Sequence, residues 1–122
     1  MKKKAWLPIL ILFLSVASEA LANKTSVVLK GPEAVAAGTE VTLAVTVAHK
    51  GNSALHFTNW VVIKADGVEI ARWDFKASSR PEEASFSREV KLTVSKAVEI
   101  TAQGSCNLHG SAGPAVLKIA VL

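Results

Sequence analysis

The sequence predicts an all-β fold, an immunoglobulin-like antiparallel β-sandwich of about seven short strands, and three observations predict it. Apolar residues recur at every second position in several segments after Asn23. Gly, Pro, Ser and Asn clusters separate those segments at short intervals. No segment carries its apolar residues at a helical period.

Taken in chain order, Ser26 to Lys30 is a first strand, and Gly31-Pro32 ends it. From Glu40 to His49, Val41, Leu43, Val45 and Val47 point one way, with Thr42, Ala44 and Thr46 the other, the pattern of a half-buried strand. Lys50 to Leu55 is a turn. Strands over Phe57 to Lys64 and Val68 to Phe75 flank Ala65-Asp66-Gly67, a short turn with glycine where positive φ costs little, so the two form a hairpin. Trp60 and Trp73, on these adjacent paired strands, are expected to pack in the core. The loop from Ala77 to Pro81 follows. Three more strands carry the period of two: Phe86, Val90, Leu92 and Val94; Val98, Ile100 and Ala102; and, after a loop from Gly110 to Pro114, Leu117, Ile119 and Val121. There is no internal repeat and no linker.

Ahead of this domain, Lys2, Lys3 and Lys4 precede an apolar run from Ala5 to Val16, shorter than the roughly 20 residues of a membrane-spanning helix. Small residues at Ala20 and Ala22 suit a peptidase. Residues 1–22 are therefore expected to be a cleaved signal peptide and residues 23–122 the mature domain, periplasmic or secreted and not held in a membrane. Without residues 1–22, the 14 basic and 10 acidic residues fall to 11 and 9, a net charge of +2. That gives no argument for nucleic acid, whose binding needs Lys and Arg clustered on one face.

Small exported domains commonly carry paired cysteines, but this chain has one, Cys106. A lone thiol in an oxidising compartment must be buried, paired or held by a metal. The chain has three histidines: His49 ends one predicted strand, His56 begins the next, and His109 follows Cys106 by three positions in the loop between the last two strands. The topology can bring all four to one end of the sandwich. A thiolate with neutral imidazoles suits iron, copper or zinc, and Gly104 and Gly110 are expected to let the backbone turn around the ion. His49, His56, Cys106 and His109 are the candidate metal ligands.

The stretch VAHKGNSALHFTNWVVIKADG, Val47 to Gly67, together with SCNLHG, Ser105 to Gly110, resembles the iron-binding domain of desulfoferrodoxin and neelaredoxin, the superoxide reductases. The resemblance implies an immunoglobulin-like sandwich holding a ferrous ion by four equatorial histidines and one axial cysteine thiolate. It implies that His49 and His56 match the family's histidine pair, that Cys106 and His109 match its Cys-x-x-His pair, and that Cys106 carries the reactivity by pushing electron density onto iron. Superoxide, or another small ligand, would take the open position, with an electron donor that the sequence does not identify. The family's remaining equatorial histidine has no counterpart between Asn23 and Ala48, and its neighbouring lysine goes with it. The histidine pair encloses six residues where the family usually has five. A subunit contact in a homo-oligomer could supply the absent ligand.

Four other readings compete with an iron reductase. Blue-copper electron carriers also use a late Cys-x-x-His loop, but their axial ligand is usually methionine; the one methionine here is Met1, and Pro114 stands where that ligand commonly falls. A metal-binding or delivery module would tolerate an incomplete ligand set. Structural zinc could be closed by three histidines and a cysteine. Hydrolysis with Cys106 as nucleophile and His109 as base lacks an orienting third group.

Overall fold

The computed structural model describes residues 24–81 and 83–122. The expected signal peptide lies outside these residues. The described chain is an all-β sandwich of two sheets, as its alternation predicts. Strands β1 (Ser26–Lys30), β3 (Thr39–Ala48) and β6 (Ser85–Val94) form one sheet in the order β1-β3-β6. Strands β2 (Ala34–Val35), β4 (Thr58–Ala65), β5 (Val68–Asp74), β7 (Val98–Cys106) and β8 (Ala115–Val121) form the other, in the order β2-β8-β7-β4-β5. All pairings are antiparallel except that of β2 with β8, which is parallel.

Seven of the eight strands fall in segments that the sequence predicts as strands, four of them by the period of two. The eighth, β2, has two residues, too few to show a period. The only helical element among the described residues is a single 3₁₀ turn, Ala77–Ser79.

The core follows from the alternation. Val41, Leu43, Val45 and Val47 of β3 are buried, and they meet Val61 and Ile63 of β4, Ile100 and Ala102 of β7, Val90 and Val94 of β6, and Ile119 of β8. A slip of one residue in β3 would turn all four of its apolar side chains to water, so the pattern itself fixes the register. At the β4–β5 hairpin, Asp66 and Gly67 have φ of 48° and 80°, the left-handed pair of a tight hairpin turn. The Asp66 side chain then accepts the Glu99 N–H at 2.9 Å, tying the turn to β7.

Two expectations need correction. Trp73 sits opposite Val61 in the ladder and packs on the core, but Trp60 pairs with Asp74 and lies on the outer face of the five-stranded sheet. There it lines a groove with Val62, Lys64, Arg72, Gln103 and Pro114, with the Arg72 guanidinium 6.0 Å from its ring centre. Adjacent strand residues face opposite sides, and burial of Val61 sends Trp60 outward. Gly104, expected to turn the backbone around an ion, lies within β7. A Cβ there would stand 2.7 Å from Cγ2 of buried Thr25, so this glycine admits a close approach of the N-terminal segment.

Candidate metal centre

Three segments meet at one end of the sandwich: the residues after β3, those before β4, and the loop after β7. His49 is the first residue beyond β3, yet its N–H still bonds the Ala84 carbonyl at 2.7 Å, which extends the β3–β6 ladder by one position. The residue is thereby carried inward and is 1% exposed. The chain then reverses through Gly51, at φ 76°, and through a tight turn in which Ser53 and His56 exchange backbone hydrogen bonds. This brings the half-buried His56 ring edge-on to His49, with Nε2 to Nε2 3.1 Å.

Cys106 is the last residue of β7 and stands opposite Thr58 in the ladder. Its loop closes on itself, because Cys106 and Gly110 exchange hydrogen bonds of 2.9 and 3.0 Å, with Gly110 at φ 74°. Only a residue tolerant of positive φ allows so short a return. His109 rides on this loop, exposed, with Nδ1 3.0 Å from His56 Nε2 and 4.0 Å from Cys106 Sγ. Cys106 is 3% exposed, and its sulfur accepts the Leu108 N–H at 3.4 Å.

The structure therefore brings the donor atoms of His49, His56, Cys106 and His109 into one cluster, and those of His49, His56 and Cys106 lie within 4.8 Å of one another. The spacing suits a transition metal. Two imidazole nitrogens each about 2.1 Å from a shared ion, at right angles, stand about 3.0 Å apart, which is the separation of His56 from each of its neighbours. Neutral imidazole and thiolate are also the right donor chemistry for such an ion.

Two asparagines that sequence reasoning passed over hold the cluster. Asn52 Oδ1 lies 2.8 Å from His49 Nδ1 and accepts the Thr58 N–H at 2.9 Å. Asn107 accepts the Phe57 N–H on Oδ1 at 2.9 Å and donates through Nδ2 to the Leu55 carbonyl at 3.2 Å, so the cysteine loop is clipped to the segment bearing His56. The available signal was position: each stands one to three residues from a candidate ligand. Thr25 closes the loop from the other side. Its carbonyl accepts the Ala112 N–H at 2.9 Å, and its buried hydroxyl is 3.0 Å from that of Thr58. Beside His49, Lys24, Ser26, Lys50, Ala84 and Ser85 line an open basin of about 330 Å³. The Trp60 groove is elsewhere and includes none of the four donors.

Among curated protein sequences, none matches this chain. Among solved structures, it is similar to superoxide reductase (neelaredoxin) from Ignicoccus hospitalis, with 26% identity over 86% of this chain and 85% of that one and a TM-score of 0.66. The fold alone is shared with the CARDB domain of a Pyrococcus furiosus protein, in complex with di-metal ions, at 15% identity over 82% and 94% of the two chains and a TM-score of 0.63. The sulfur carrier protein SoxY from Chlorobium limicola shares it at 15% identity over 91% and 96%, with a TM-score of 0.56. The family model named desulfoferrodoxin matches residues 17–111, a span that holds every strand from β1 to β7 and all four clustered donors. By that match the chain belongs to the desulfoferrodoxin family.

Proposed function

We propose that this chain is an exported mononuclear non-haem iron protein that reduces superoxide to hydrogen peroxide, with His49, His56, His109 and Cys106 holding the metal. The observation that carries the reading is the cluster of three imidazole nitrogens, 3.0 and 3.1 Å apart in sequence around His56, with one buried sulfur 4.0 Å from the His109 nitrogen. Bound iron would supply the single electron that, with two protons, converts superoxide to hydrogen peroxide.

The chain's own residues prepare that chemistry. The Leu108 N–H directed at Cys106 Sγ withdraws density from the sulfur and tunes its donor strength. Burial of Cys106 and His49 excludes water from the inner side, while exposed His109 leaves the outer side open to a small anion. Lys24 and Lys50 line the basin beside His49 and bring positive charge to that end of the sandwich. Lys2 to Lys4 and the apolar run to Val16 support export. Electrons would come from a separate donor.

The ligand set supports a second reading. Three histidines and one cysteine, without a fourth histidine, also suit a copper carrier or a metal-delivery module. One preparation separates them: express the full chain with export, determine its bound metal, record its visible spectrum after oxidation, and follow superoxide decay after pulse radiolysis. The proposal expects iron, a long-wavelength thiolate-to-metal band and superoxide loss well above its spontaneous rate. An intense blue copper protein, or an iron protein inert to superoxide, would displace it.

A further inference from the structure

His49 can ligate through Nε2 only when the hydrogen of its neutral ring is on Nδ1. The structure contains what decides between the two. The Asn52 amide is oriented by two partners that each have one role: the Thr58 N–H can only donate, and it points at Oδ1 at 2.9 Å, while the Glu83 carbonyl can only accept, and it receives Nδ2–H at 2.9 Å. Oδ1 therefore faces His49 Nδ1, at 2.8 Å, as an acceptor. The ring nitrogen must supply the hydrogen. The lone pair is left on Nε2, the atom 3.1 Å from His56 Nε2 in the middle of the cluster. Water cannot take over this task readily, because His49 is 1% exposed.

We infer that Asn52 is a positioning residue, which holds His49 in its Nδ1–H tautomer and so presents the Nε2 lone pair to the metal. The inference rests on the reading in which His49 is a ligand. Its physical content precedes any ion. By joining the residue after β3, the first residue of β4 and the loop ahead of β6, Asn52 fixes both the ring's orientation and its hydrogen before a metal arrives. Histidine ligands are regularly set by such an outer partner, whose loss weakens metal binding by about 10- to 100-fold.

The test uses the full chain, labelled with ¹⁵N and stripped of metal, and reads the imidazole nitrogens by long-range ¹H–¹⁵N spectra. Wild type is expected to show His49 protonated on Nδ1 and bare on Nε2. Asn52→Leu, with its fold checked by circular dichroism, is expected to lose that preference. It should also bind ferrous ion about 10- to 100-fold more weakly in anaerobic competition with a chromophoric chelator. Asn52→Asp keeps the acceptor and is expected to restore the tautomer and most of the affinity. Wild-type His49 protonated on Nε2 would overturn the inference, and so would a folded Asn52→Leu protein that binds ferrous ion as tightly as wild type. Should Asn52→Leu not fold, the wild-type spectrum and Asn52→Asp still decide it. Wild type that shows the Nδ1–H tautomer but takes no ferrous ion would refute the metal reading and leave the tautomer assignment standing.

Discussion

Gly104 occupies a strand position where a methyl group has no room, because Thr25 Cγ2 and Val27 Cγ2 would lie 2.7 and 3.3 Å from it. Thr25 is fully buried and hydrogen-bonded to Thr58, so it cannot swing aside. Gly104→Ala is expected to cost about 1–3 kcal/mol in urea unfolding, from overpacking. Cys106→Ser should behave differently: it exchanges one small buried side chain for another, so circular dichroism should be unchanged, while the proposed thiolate band disappears. A band that persists would remove Cys106 from the metal. At this scale the rare residues were the legible ones. Three histidines and one cysteine are chemically distinctive wherever they stand, and their strand-end positions could be read from the alternation. Asn52 and Asn107 were not legible, because an asparagine in a turn looks the same whether it shapes the turn or orients a neighbour. Gly104 was misread for a similar reason: glycine serves a turn and a close approach equally well.

The decisive element is β3, whose buried side chains alternate without a break from Val41 to Val47 before delivering His49. Leu43, at 0% exposure, sits mid-strand. Leu43→Ala is expected to lower stability by about 2–5 kcal/mol, measured by urea denaturation, through lost burial and the cavity left behind. Strands of this kind announce themselves, since one face is buried and the other wet. β4 is harder to read. Its ladder with β7 shifts register between Thr58 and Trp60, and it buries Val61, Val62 and Ile63 in succession. Continuous burial hides the sidedness of the strand, which is why Trp60 was expected inside and is found beside Arg72. The Arg72 guanidinium is held above its ordinary pKa by hydrogen bonds to Glu69 and then Asp74, an exposed arrangement that decorates β5.

For the molecule as a whole, the four donors are divided between the layers. His49 extends the three-stranded sheet, whereas His56, Cys106 and His109 belong to the ends of β4 and β7 in the five-stranded one. An ion held by all four, as proposed, ties the two sheets together and binds only the folded state. At 100 times its dissociation constant it would add about 2.7 kcal/mol. The thermal midpoint should therefore rise on metal loading and return with a chelator, and a midpoint that ignores metal would argue against a shared site. The sandwich was legible at this scale because strand spacing and turn residues narrow the choice of architecture. The meeting of three segments at one end was foreseeable only as a topological possibility, since it depends on Thr25 and two asparagines drawing the loops together.

The division of donors between layers also says where the protein should come apart first. A clasp at the histidine end leaves the far end of the sandwich, where Asp66 is tied to β7 but no ion would span the two sheets, as the weaker seam, so amide exchange in the loaded protein should begin there. Stripping the ion should release the opposite end as well, and the sequence of fraying becomes a readout of occupancy that needs no colour and no turnover.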